Sequence, residues 1–390
     1  VTFNGTKVLE NRLLTGDDFT FTLTGEDGAP MPEAAGGSNT LSVTNSADGS
    51  FSFGEINYEV TDLNDSDNDG NYDSKTFTYT VTENNTGTDG ITYDTTEYRI
   101  QVTVSNANED GELTATVTVA ERANSASGFG TPQTVEGTNG VYSISGSEDT
   151  FTNNYNGSTG VTFGATKTLE NMDFDEVEGG FDFEIRKTHS SDADWTFDSK
   201  TDVYSGHTDD GTVSFETISY DVTDLTTDTD EDGNNDQAVF TYEISEVVPT
   251  DAVNNKKDGI VYDTTVYTAV VTVTDDGSGN LTTEVTVDGN SVTAQNGIYW
   301  LPNGQNATTS FTNSYEPQGE FEIPITKNLV GRDFQEGDTF TFRVTKNGVL
   351  LDEVTINPYE DGTDPESYRF TVQDTYTLDD AGETYYYTIT

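Results

Sequence analysis

Phe77-Thr78-Tyr79-Thr80-Val81-Thr82-Glu83 alternates large apolar and small polar residues along its whole length and ends on a carboxylate. Such alternation sends the apolar set to one face of a strand, and Tyr242-Glu243-Ile244-Ser245-Glu246 repeats the ending. Phe19-Thr-Phe-Thr-Leu23, Tyr98-Arg-Ile-Gln-Val-Thr-Val104 and Leu113-Thr-Ala-Thr-Val-Thr-Val119 keep the same period, separated by Gly, Asn and Asp clusters. Strands punctuated in this way predict a β-sandwich. No stretch sustains a 3.6-residue apolar period, so helix content should be small and the fold class all-β.

The landmarks recur in order. Phe53-Gly-Glu-Ile-Asn-Tyr-Glu-Val-Thr-Asp-Leu63 answers to Phe215-Glu-Thr-Ile-Ser-Tyr-Asp-Val-Thr-Asp-Leu225, and Asp89-Gly-Ile-Thr-Tyr-Asp-Thr-Thr96 to Asp258-Gly-Ile-Val-Tyr-Asp-Thr-Thr265. Lys7, Lys167 and Lys327 stand 160 residues apart in a chain with nine lysines, which sets the repeat. The contexts are Thr-Lys-Val-Leu-Glu-Asn, Thr-Lys-Thr-Leu-Glu-Asn and the looser Thr-Lys-Asn-Leu-Val-Gly. Each full unit closes on Phe-Thr-Asn-x-Tyr, at Phe151 to Tyr155 and at Phe311 to Tyr315, followed by the short polar segments Asn156-Gly-Ser158 and Glu316-Pro-Gln318, which read as linkers. The expected division is 1–157, 158–317 and a partial third repeat over 318–390.

Composition narrows the class. Only 32% of the 390 residues are apolar, but 20 Tyr and 21 Phe among many Thr and Val suit half-buried pleated surfaces. The formal charge of −55 sets the chain against nucleic acid phosphates and anionic membrane surfaces, so those partners are not expected. With no cysteine there is no disulfide, thiolate metal site or Cys nucleophile. No apolar run reaches the length of a membrane span, and the first residues lack the regions of a signal peptide. The chain therefore reads as a mature protein or an excerpt of a larger one.

Three residue types recur at matched phases: Lys in the first strand, Glu at the end of a Tyr-x-hydrophobic-x-Glu strand, and Asn in the closing strand. They are Lys7, Glu83 and Asn153 in the first unit, and Lys167, Glu246 and Asn313 in the second. This pattern resembles the isopeptide-forming domains of Gram-positive pilus shafts and surface adhesins, over both full units and the opening strands of the third. The resemblance implies tandem immunoglobulin-like (Cna B-type) sandwiches in a cell-surface or cell-wall fibre, with other subunits as partners. It also implies an amide formed once between Lys and Asn, with the Glu as catalyst, and no enzymatic turnover.

The chemistry fits these side chains. Burial disfavours the charged amine and the charged carboxylate alike, so Lys can become nucleophilic while a protonated Glu polarises the Asn carbonyl and shuttles protons as ammonia leaves. An unreacted ion pair would use the same Lys and Glu, but buried pairs often repay little of their desolvation cost. The crosslink would close a loop of about 150 residues, which by analogy with disulfides stabilises by roughly 5 kcal/mol. Lys327 is the exception: the sequence ends at Thr390, where the repeat places the next Glu, so it is expected to be unpaired in this chain, and a truncated longer array is the simpler reading.

Two acidic loops share the pattern D-x-D-x-D-G-N-x-D: Asp65, Asp67, Asp69, Asn71 and Asp73, and Asp228, Asp230, Asp232, Asn234 and Asp236. Alternate carboxylates around a Gly turn match a Ca2+ loop, although Thr76 and Val239 replace the bidentate Glu. Ca2+ is the expected cofactor, with Asp62 and Asp224 as further ligands. His189 and His207 lie in a low-similarity stretch and read as exposed loop residues. No G-x-S-x-G or phosphate loop is present. Two other functions stay open, a ligand-binding adhesin whose Tyr-rich loops read a glycan or host protein, and spacer repeats of a larger secreted enzyme.

Overall fold

The computed structural model describes residues 1–65, 72–106, 112–145 and 150–390. The fold is all-β, with one short α-helix, Pro358–Asp361, and a few 3-10 turns among the described residues. In the first unit the opening strand Thr2–Glu10 lies in one sheet with Ser50–Glu55, Val141–Ser143, the closing strand Phe151–Tyr155 and Ile91–Thr92. The facing sheet runs in the order Thr40–Thr44, Thr20–Gly25, Ser74–Glu83, Glu97–Ser105, Thr114–Arg122 and Gln133–Val135. The alternation of Phe77 to Glu83 places Phe77, Tyr79 and Val81 in the core, each 3% exposed or less.

One pairing positions the site. The opening and closing strands lie parallel, with Lys7 opposite Phe151 and Leu9 opposite Asn153. The second unit repeats this between Ser158–Glu170 and Phe311–Tyr315, with Lys167 opposite Phe311 and Leu169 opposite Asn313. Parallel neighbours need a long connection, and here almost the whole unit is that connection. Between the sheets, Phe21 stacks on Phe51 at 3.9 Å between ring centroids and on Phe151 at 5.3 Å. Tyr98 Oη donates to the Thr150 carbonyl (2.7 Å) and Tyr267 Oη to that of Ser310 (2.6 Å), so a core tyrosine holds the entry to each closing strand.

The units meet at a bonded joint. Tyr155, last in the first closing strand, donates to Asp275 (2.6 Å) and accepts the Gly279 N–H (2.6 Å), while the Arg12 guanidinium lies 4.8 Å from its ring centre. The Leu13 N–H donates to Asn234 Oδ1 at 2.7 Å, tying the first unit to the acidic loop of the second. Gly279 has φ of +77°, and a Cβ there would come within 2.4 Å of the Asn156 carbonyl oxygen, so the close approach needs glycine. Ser158, expected in a linker, already belongs to the second opening strand.

Residues 319–390 form two small sheets: Gly319–Asn328 with Ser367–Tyr376, and Val349–Ile356 with Phe340–Lys346 and Tyr387–Ile389. Ile323, Ile325, Val344 and Val372 form their core.

Candidate functional site

In each full unit the Lys, Glu and Asn singled out by their spacing converge between the sheets. Lys7 and Asn153 project from the sheet holding the opening and closing strands; Glu83, last residue of Ser74–Glu83 and paired with Phe21, enters from the facing sheet. Lys7 Nζ donates to Glu83 Oε2 at 2.9 Å, and Asn153 Nδ2 donates to Glu83 Oε1 at 2.7 Å. The second unit repeats the arrangement, Lys167 Nζ to Glu246 Oε2 at 2.6 Å and Asn313 Nδ2 to Glu246 Oε1 at 2.7 Å. The Lys and Glu side chains are wholly buried in both units, and both asparagines are 0% exposed.

Burial dominates the electrostatics. It pulls the Lys7 and Lys167 amines below the ordinary lysine range, against the opposing charge and hydrogen bond of their glutamates. The same burial pushes Glu83 and Glu246 above the ordinary carboxylate range, against the pull of the lysines. Both shifts favour moving the proton from nitrogen to oxygen, leaving a neutral amine beside a neutral acid. An aromatic face caps each amine: Lys7 Nζ lies 4.7 Å from the centre of Phe19 and Lys167 Nζ 5.2 Å from that of Phe181.

The glutamate, expected to polarise the Asn carbonyl, directs both of its oxygens at nitrogens in both units. Asn153 Oδ1 instead accepts the main-chain N–H of Asp94 at 2.7 Å, and Asn313 Oδ1 that of Asp263 at 2.6 Å. The amide orientation follows from chemistry, since a main-chain N–H only donates and must meet the oxygen. Asp94 and Asp263 belong to the repeated Tyr-Asp-Thr-Thr segments, which in the sequence are landmarks without a role.

Lys327 keeps the aromatic cap, 4.5 Å from the centre of Phe340, and its Cα faces Tyr368. It has no carboxylate ion-pair partner among the described residues.

The acidic loops are placed less completely. In the second, one carboxylate oxygen from each of Asp228, Asp230 and Asp236 lies within 4.8 Å of the others. Asp232 turns instead to the N–H (2.8 Å) and Nδ2 (3.1 Å) of Asn234, whose own Oδ1 is engaged by Leu13. In the first loop Asp65 and Asp73 are described, while Asp67, Asp69 and Asn71 lie outside the described residues. Asp62 and Asp224 accept the N–H groups of Glu59 (2.8 Å) and Asp221 (2.9 Å) and cap short 3-10 turns. His189 and His207 are exposed but sit on strands, and His207 Nδ1 meets Asp182 at 2.7 Å.

The family model FctA, the Spy0128-like isopeptide containing domain, matches residues 3–156 and again 163–316. The chain therefore belongs to this family, with two tandem copies of its domain. Among solved structures it is similar to the major pilin from Streptococcus pyogenes, at 18% identity over 80% of this chain and 98% of that one, with a TM-score of 0.24. A second major pilin of that species aligns at 15% identity over 80% and 94% of the two chains, also with a TM-score of 0.24. Two B repeat units of the collagen binding protein of Staphylococcus aureus align at 13% identity over 100% of this chain and 68% of that one, with a TM-score of 0.17. No curated protein sequence matches the chain. No described helix is long and apolar enough to cross a membrane.

Proposed function

We propose that the chain is a structural element of a cell-surface, pilus-type fibre whose two full units each seal themselves with an amide, Lys7 to Asn153 and Lys167 to Asn313. The observation that carries this reading is the glutamate placed between two nitrogens, one oxygen toward the amine and the other toward the carboxamide, in both units. Glu83 takes a proton from the Lys7 ammonium; the neutral amine attacks Asn153 Cγ; that proton passes to Nδ2 and ammonia departs, while Glu83 takes the second Nζ proton and ends as the neutral acid. One N–C bond forms and one breaks, with no change of oxidation state. Lys and Asn are consumed, so each unit reacts once and is not an enzyme in the sense of turnover.

Family membership supports a load-bearing role, with further subunits of the fibre as partners and the cell surface as location. The Asp228, Asp230 and Asp236 oxygens further suit a hard cation such as Ca2+, which would supply positive charge to a loop now held by hydrogen bonds. The deciding experiment is intact mass. Loss of one ammonia per full unit is expected, with Glu83→Ala and Glu246→Ala each restoring one; a mass equal to that of the unmodified sequence refutes the bonds.

A further inference from the structure

The glutamates account for the protons of the proposed reaction and leave its negative charge unexplained. As Lys7 Nζ adds to Asn153 Cγ, electron density moves onto Asn153 Oδ1, in a site from which water is excluded by complete burial. A buried oxyanion without a donor is costly, and a donor already in place needs no reorganisation when the charge appears. Among the described residues the Asp94 main-chain N–H is the donor that reaches Oδ1, and Asp263 does the same for Asn313.

The donor is held from both sides. Asp94 Oδ1 accepts the Thr96 N–H (2.8 Å), which fixes the turn carrying the Asp94 amide; Oδ2 accepts the Thr152 N–H (2.9 Å), which fixes the residue before Asn153. Asp263 binds the N–H groups of Thr265 (2.8 Å) and Thr312 (2.6 Å) in the same way. One residue thus ties the donor to the strand bearing the acceptor, and its carboxylate charge is engaged by two main-chain donors.

We propose that the main-chain N–H of Asp94, and that of Asp263, is the oxyanion donor for amide formation, with the aspartate side chain positioning it through the repeated Tyr-Asp-Thr-Thr turn. The inference rests on the isopeptide reading of the site. Nζ–Cγ forms and Cγ–Nδ2 breaks, one proton travels from Nζ through the glutamate to Nδ2, and the charge held on Oδ1 returns to the carbonyl as ammonia leaves.

The test replaces Asp94 by its α-hydroxy acid counterpart through nonsense suppression in cell-free translation, converting the N–H into an ester oxygen and keeping the side chain. Ammonia loss is followed by time-resolved mass analysis of each unit after proteolysis. The expected result is a first unit slowed by about 10²–10³-fold, while the second unit, in the same chain, keeps its rate. Asp94→Asn, which retains the N–H, should slow by less than about 10-fold, the ~1 kcal/mol of a positioning hydrogen bond. Parent-like rate in the ester, or equal slowing by both substitutions, overturns the proposal. If the ester chain does not fold, amide exchange of Asp94 in a Lys7→Met chain decides: protection that is lost on adding Asn153→Ala supports the donor, and an unprotected amide rejects it. Absence of ammonia loss from both units of the parent chain would defeat the isopeptide reading itself, a distinct outcome.

Discussion

Lys7 and Phe151 face each other across a parallel pair made of the first and last strands of a unit, and Lys167 and Phe311 do the same in the next. The chain enters and leaves each unit by neighbouring strands, so tension on the two ends shears that pair. An amide from Lys7 to Asn153 bridges the same two strands. It would carry the load before any core hydrogen bond is stretched.

Single-molecule extension should therefore show no unfolding step for the crosslinked units. In Glu83→Ala the first unit should unfold and release the 145 residues between Lys7 and Asn153, or roughly 500 Å of extended chain. A parent chain that releases this length under moderate force would contradict the bond.

Stability should separate loss of the bond from loss of charge balance. Lys7→Met removes the crosslink and fills the space beside Phe19 with an apolar chain, at a cost near the roughly 5 kcal/mol of loop closure. Glu83→Ala removes the crosslink and leaves the buried amine without its acid, adding a further ~3 kcal/mol or more. Calorimetry should rank the first unit as parent, then Lys7→Met, then Glu83→Ala; the reverse order of the two variants would mean that the stranded acid costs more than the stranded amine.

The pH dependence of bond formation follows from the direction of the two shifts. Burial lowers the amine and raises the acid, so the reactive neutral pair and the ion pair hold the same number of protons and interconvert without exchange with solvent. The rate should then be flat across neutral pH, falling in acid as the pair gains a second proton and in alkali as it loses its last. Ammonia release from freshly translated chain, shifted to buffers across this range, gives the profile. A rate that climbs tenfold per unit up to the ordinary lysine range would show that the amine titrates against solvent instead.

For the acidic loop of the second unit, chelation should lower its melting temperature, and Asp230→Ala should abolish the response. Because Asn234 is also bonded to Leu13, the same titration should tighten the joint between the units, seen as a narrower distribution of inter-unit distances by spin-label spectroscopy. Identical melting with and without chelator would leave the loop as a set of solvated turns.

Much of the fold was legible because period-2 alternation is a local signal. Phe77 to Val81 reads as a strand and lies within Ser74–Glu83; Leu113 to Val119 lies largely within Thr114–Arg122. The parallel pairing of the first and last strands was not legible, since no turn joins them and only the matched phases of Lys7 and Asn153 hint at contact. Side-chain types named the Lys, Glu and Asn. The Asp94 contribution is a main-chain amide, which every residue but proline owns, so composition could not mark it; only recurrence of Tyr-Asp-Thr-Thr at one phase could. The joint at Tyr155 escaped for a related reason, as the residues that follow the corresponding Tyr315 differ in local sequence from those that follow Tyr155.

The closing strand has one more consequence, and it concerns order in time. Phe151–Tyr155 is synthesised after every other strand of its unit, so the proposed amide would form only once the whole unit has emerged and packed. A slip of one residue would turn Asn153 to the opposite face of its strand, away from Lys7, and the reaction would not occur. An irreversible bond gated in this way would act as a ratchet with a proofreading step: it would record, domain by domain, which copies reached the correct register, and would lock only those.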